Sequence, residues 1–81
     1  MFDKLKQISE LKKLQDKMKE EKIETVQNGV KIIMNGNFEV EEIVLNEELG
    51  PEDEAKALKD CFNRAVKDIQ MKIAQNFSHL I

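Results

Sequence analysis

Lysines crowd the start of this chain, at Lys4, Lys6, Lys12, Lys13, Lys17 and Lys19, and further cations, Arg64, Lys67 and Lys72, follow near the other end. An ammonium offers phosphate a compact point charge. Two-pronged recognition of a base edge calls for guanidinium groups, and Arg64 is the only arginine. Such a set suits weak, salt-sensitive contact with a phosphate backbone. The plainer alternative is a solvated helix face. Lys6 and Glu10, Asp16 and Glu20, and Lys13 and Lys17 are i,i+4 neighbours of mixed sign, not one basic row.

Other chemistry is poorly supplied. Cys61 has no histidine within local reach and reads as a small packed side chain. His79 lacks the partners that general acid–base catalysis needs. One cysteine and one histidine cannot build a tetrahedral zinc site, and a lone cysteine cannot form an internal disulfide. The acids Glu47, Glu48, Glu52, Asp53 and Glu54 lack the alternation and central glycine of a calcium loop. Gly29, Gly36 and Gly50 each punctuate a separate turn and form no phosphate-cradling loop. No catalytic residue, metal site, cofactor or small-molecule substrate is expected.

The elements that must position the cations are legible. From Phe2 to about Lys22 the chain lacks Gly and Pro and is rich in Lys, Glu, Gln and Leu, which predicts a long helix. Its apolar residues Phe2, Leu5, Ile8, Leu11, Leu14 and Met18 recur slightly faster than 3.6, so the stripe winds around the axis. Asn28-Gly29 and Asn35-Gly36 each suit a type I′ turn, predicting a meander of strands 23–27, 30–34 and 38–45. Val30, Ile32 and Met34 share one strand face. In the third strand Phe38 and Val40 fall out of phase with Ile43 and Leu45, and a β-bulge near Glu41-Glu42 would return all four to the core face. A strand covered on both sides in its second half is the rival. After Gly50, Pro51 and three acids open a second helix over 51–80. Its stripe Leu58, Phe62, Ala65, Ile69, Ile73, Phe77 and Leu80 supplies the expected core and dimer contacts, above all Leu58, Phe62, Ile69, Ile73 and Phe77. A helix of that length spans about 45 Å, more than a short meander covers, so its excess is expected to pack on another chain.

With 81 residues, 41% apolar and 36% charged, the chain reads as one α+β domain over 1–81, and its small core favours a homo-oligomer. No apolar run approaches the roughly 18 residues of a membrane helix, and a cytoplasmic location without membrane contact is expected.

The order helix, three strands, helix, with certain segments inside it, resembles the YbaB/EbfC nucleoid-associated proteins. "LQDKMKEEKIE" is similar to that family's first helix running into a strand, "GVKIIMNG" to its second strand and turn, "EVEEIVLNEEL" to its third strand, and "CFNRAVKDI" to a segment of its last helix. The resemblance spans nearly the whole chain. It implies a tweezers-like homodimer that binds duplex DNA in the cytoplasm or nucleoid, with low or broad sequence preference, affecting DNA conformation, nucleoid organisation or gene expression. The nine cations named above become the candidate DNA contacts. Where the family's third strand often carries Lys or Arg, this chain has Glu41, Glu42 and Val44.

Charge is segregated along the chain. Residues 1–22 hold seven lysines against five acids, net +2; residues 23–54 one lysine against nine acids, net −8; residues 55–81 five cations against two acids, net +3. Any DNA surface is therefore expected on the helices, with the acidic meander held away from it. The overall charge of −3 and the pair Glu41-Glu42 support a second class, a protein-interaction module on the same dimer fold with DNA binding weakened or lost. An enzyme is the least supported.

Overall fold

Helix α1 covers Phe2–Glu20, strands β1, β2 and β3 cover Lys22–Gln27, Val30–Asn35 and Val40–Val44, and helix α2 covers Pro51–Phe77. This computed structural model describes residues 2–77, with side chains from Gln7 to Asn76. The side chains of Phe2, Lys4, Leu5, Lys6 and Phe77 lie outside what is described, as do His79 and Leu80. The strands form one antiparallel sheet in the order β1-β2-β3.

The two Asn-Gly pairs behave differently. Asn28 and Gly29 both take positive φ, 50° and 82°, as a two-residue hairpin turn requires. Asn46 steadies that turn, its Nδ2 donating to the Asn28 carbonyl at 2.9 Å. At the second pair the expectation fails. Asn35 is the last residue of β2, neither Asn35 nor Gly36 has positive φ, and the left-handed residue is Phe38 at φ 61°. The reason is the Asn35 side chain, buried at the strand end. Its Oδ1 accepts the Asn37 and Glu39 amides at 2.9 and 3.2 Å, and its Nδ2 donates to Glu39 and Glu41 carboxylates at 3.4 and 3.1 Å. This network holds a longer loop open, so β3 begins at Val40 and not at Phe38.

The bulge falls where the phase change places it. Ile33 pairs with Glu42 and Met34 with Val40, leaving Glu41 as the extra residue. Val40 and Ile43 thus share the face of Met34 and Ile32, yet every β3 residue is exposed, because α2 does not reach over that strand. Within one chain the bulge restores the face but not the burial.

The core lies between α2 and the sheet. Val30, Ile32 and Met34 from β2 meet Ala57, Cys61, Ala65 and Ile69 from α2, all buried. These four helix positions recur every four residues, and three are small. Small side chains let the helix axis sit close to the strands. The bulky edge Leu58–Phe62 is turned toward β3 instead: Phe62 stays 42% exposed, and Leu58 and Ile73 are half-buried. Of the helix stripe expected to fill the core, Ala65 and Ile69 are fully enclosed among the described residues. Thr25, also buried, ties β1 to the helix by donating its hydroxyl to the Asp68 carboxylate at 2.8 Å.

Cys61 Sγ lies 3.2 and 3.4 Å from the carbonyls of Thr25 and Val30, beneath the first hairpin. Burial pushes its thiol up, outweighing the opposing contacts with backbone groups of Gln27 and Ile32. A neutral, enclosed thiol is a poor nucleophile. A thiol-reactive dye at neutral pH is expected to leave Cys61 unmodified in the native protein and to label it fully in denaturant; rapid native labelling would contradict this packing.

Helix α1 stands apart from that core. It meets the sheet near its C-terminal end, where the Gly36 amide donates to the carbonyls of Met18 and Glu21 at 3.0 and 2.9 Å. The radius of gyration is 16.3 Å, against about 12 Å for a compact chain of this size, and the longest dimension is 56 Å.

Candidate nucleic-acid interface

On α1, Lys12, Lys13, Lys17 and Lys19 are exposed, and among the described residues none lies within ion-pair distance of a carboxylate. Helical spacing puts Lys12 and Lys19 on one flank of the row Leu11, Leu14 and Met18, and Lys13 and Lys17 on the other. Ile8 and Leu11 are 62% and 59% exposed. The structure thus presents α1 as a helix with cations on both flanks of an apolar row.

The three candidates on α2 are not equivalent. Lys67 is exposed and without an ion-pair partner among the described residues. Arg64 is engaged with Asp68 at 3.1 Å, one helical turn on. Lys72 is committed to the fold: its Nζ donates to the Lys22 carbonyl at 2.7 Å and lies 3.5 Å from Glu21. Exposed Lys56 and Lys59, absent from the sequence-based set, share a helix face with Asn63 and Lys67 through spacings of three, four and four. That spacing was visible in the sequence.

The acidic strand is organised rather than merely repelling. On the sheet face away from α2, Lys22 Nζ meets Glu41 at 2.9 Å and Lys31 lies 3.6 Å from Glu24. The hydrogen bond from Lys22, then that from Asn35, holds the Glu41 carboxyl below the usual carboxylate range. A depressed folded pKa means that the stabilisation is present above the unfolded value and disappears as pH falls through the folded one. Carboxyl NMR titration should give Glu41 a low midpoint that rises toward the ordinary value in Lys22→Ala. An unchanged midpoint would remove the Lys22 contact as its cause.

Between β3 and α2 runs an open apolar groove of about 420 Å³, lined by Val40, Ile43, Leu58 and Phe62 and rimmed by Lys59 and Asn63. Leu45, just past the strand, continues the exposed apolar surface. Among the described residues, no group of three or more acidic, His or Cys side chains could hold a metal, and no helix is long and apolar enough to cross a membrane.

The model of the YbaB/EbfC DNA-binding family matches residues 1–80. The chain belongs to that family. Comparison with curated proteins returned no match. For a YbaB/EbfC chain, the segregation of free lysines onto α1 and α2 and of acids onto the meander is the feature that bears on its nucleic-acid chemistry. The helix–meander–helix architecture expected from the resemblance is the one observed, with a free groove on β3.

Proposed function

We propose that this chain is a nucleoid-associated protein that binds duplex DNA as a homodimer, using lysines of α1 and the exposed row of α2. Sequence preference is low or broad, and the effect is on DNA conformation, nucleoid organisation or gene expression. The observation that carries this reading is the set of exposed lysines free of carboxylate partners among the described residues, Lys12, Lys13, Lys17 and Lys19 on α1 and Lys67 on the side of α2 opposite its buried row. Lysines without partners can release counterions from phosphate, whereas Arg64 and Lys72 must first leave Asp68 and Glu21. The scarcity of guanidinium groups supports low sequence preference.

The homodimer reading rests on the β3–α2 groove. Among the described residues seven buried apolar side chains make a small core, and Phe62, Val40, Ile43 and Leu45 leave apolar surface next to it. A second copy, meeting the same patch through a two-fold axis, would enclose both surfaces and the free edge of β3. The test is fluorescence anisotropy of a labelled duplex of about 30 base pairs titrated at several salt concentrations, with oligomeric state measured by analytical ultracentrifugation. Binding that falls steeply with salt, from a dimeric sample, supports the reading. A dimeric sample that does not bind at low salt would favour the protein-interaction module suggested by Glu41 and Glu42, and a monomer would overturn the role given to the groove.

A further inference from the structure

We infer that Gly36 is the positioning residue that sets the direction of α1, and so of its lysines; this rests on the reading that α1 contacts DNA. The turn between β2 and β3 acts as a clamp on the C-terminal end of that helix. The Gly36 amide is shared between two α1-end carbonyls, Met18 at 3.0 Å and Glu21 at 2.9 Å. One turn earlier, Asn37 Nδ2 donates to the Gln15 carbonyl at 3.3 Å. The Glu21 carbonyl lies past the last helical residue and has no partner within the helix, so this turn supplies one, while the Met18 carbonyl also accepts the Glu21 amide at 3.1 Å. From the other side, Asn76 and Lys72 of α2 hold the Glu21 carboxylate at 2.8 and 3.5 Å. Four elements therefore converge on residues 18–22.

Gly36 is required there by proximity and not by backbone conformation, since its φ is not positive. A Cβ on Gly36 would lie 2.2 Å from the Met18 carbonyl oxygen and 2.9 Å from its carbon. The obstacle is backbone, which cannot rotate away as a side chain could, so the helix end itself must move. Asn35 fixes the turn in place through its contacts with Asn37, Glu39 and Glu41, which leaves α1 as the part that yields. The helix has 19 residues, about 28 Å of lever, so a displacement of about 1 Å across its last turn moves the far end by roughly 5 Å. Met18 and Glu21 give the clamp its grip; Gly36 makes room for it.

The experiment reads geometry directly. Nitroxide labels at Lys12→Cys and Gln70→Cys, in a Cys61→Ala background diluted with unlabelled protein, report the intrachain distance between α1 and α2. Gly36→Ala is expected to shift that distance by several ångströms or to broaden its distribution, while circular dichroism still shows a cooperative transition. Asn37→Ala adds no bulk and removes the Gln15 tether, so it is expected to broaden the distribution even where Gly36→Ala does not fold. Distributions matching the parent in every variant that folds would overturn the inference. The DNA reading fails separately, if the unlabelled wild-type dimer shows no salt-dependent binding, and that result leaves the distance test standing. Where wild type does bind, Gly36→Ala should weaken binding without any change of charge, an effect that a role confined to stability would not produce at temperatures where the variant is folded.

Discussion

Ile69→Ala is expected to lower the unfolding free energy by about 2–5 kcal/mol, the range for removing a large aliphatic side chain from an enclosed site. Ile69 is fully buried between α2 and the sheet, among Val30, Ile32, Met34, Cys61 and Ala65. The strands around it are held by cross-strand hydrogen bonds and by the Thr25–Asp68 contact, so the space left behind has little freedom to collapse. For a chain of 81 residues a loss of that size is comparable to much of the total stability. Chemical denaturation monitored by circular dichroism measures it. Phe62→Ala is the informative contrast. Its ring is 42% exposed beside Val40 and Ile43, so its truncation should cost a chain less, and should appear mainly as weaker self-association. Equal losses of stability in the two variants, independent of protein concentration, would place Phe62 in the core of one chain and refute the division between the two helix faces.

The second large effect concerns DNA. The double substitution Lys12→Glu with Lys13→Glu places four new negative charges on a dimer and removes four positive ones, on opposite flanks of α1. Each phosphate that a lysine no longer neutralises reduces the slope of log affinity against log salt by about 0.9 for duplex DNA. Affinity should therefore drop at least about tenfold at low salt, and the salt dependence should become shallower. Lys72→Gln provides the comparison. That side chain is held by the Lys22 carbonyl and Glu21, so its removal should be felt in stability at the α1–β1 junction more than in DNA affinity. Both α1 residues are exposed, and neither has a carboxylate partner among the described residues, so the double variant should stay folded. Unchanged affinity in it would move the contact surface away from α1, to the row Lys56, Lys59 and Lys67 on α2.

The local elements were legible because each is specified by neighbouring residues. A run of helix formers without Gly or Pro makes α1, Pro51 after Gly50 with three acids starts α2, and Asn28-Gly29 closes a hairpin whose residues both need positive φ. The alternation of Val30, Ile32 and Met34, and the change of phase at Glu41, likewise follow from the two-residue period of a strand. Charge segregation along the chain is also a property of the order of residues.

What needed the folded chain was every choice between faces and partners. The α2 sequence offers two apolar faces, and bulk favoured the one with Leu58 and Phe62. The sheet takes Ala65 and Ile69 of that stripe, but with Ala57 and Cys61 in place of Leu58 and Phe62, because small residues bring the helix close enough to fill the space over β2. Asn35-Gly36 has the composition of a tight turn, but the Asn35 side chain binds the chain beyond it, and Gly36 is needed where α1 passes, a contact nearly twenty residues away in sequence. Likewise, Arg64, Lys67 and Lys72 look alike in a linear chain, while the fold ties two of them to acids and leaves the third free among the described residues. Periodicity and turn chemistry are local, so residue order was enough to specify the elements and their succession. Packing distance and ion pairing depend on what lies opposite, so which faces are buried and which cations remain available emerged with the assembled chain.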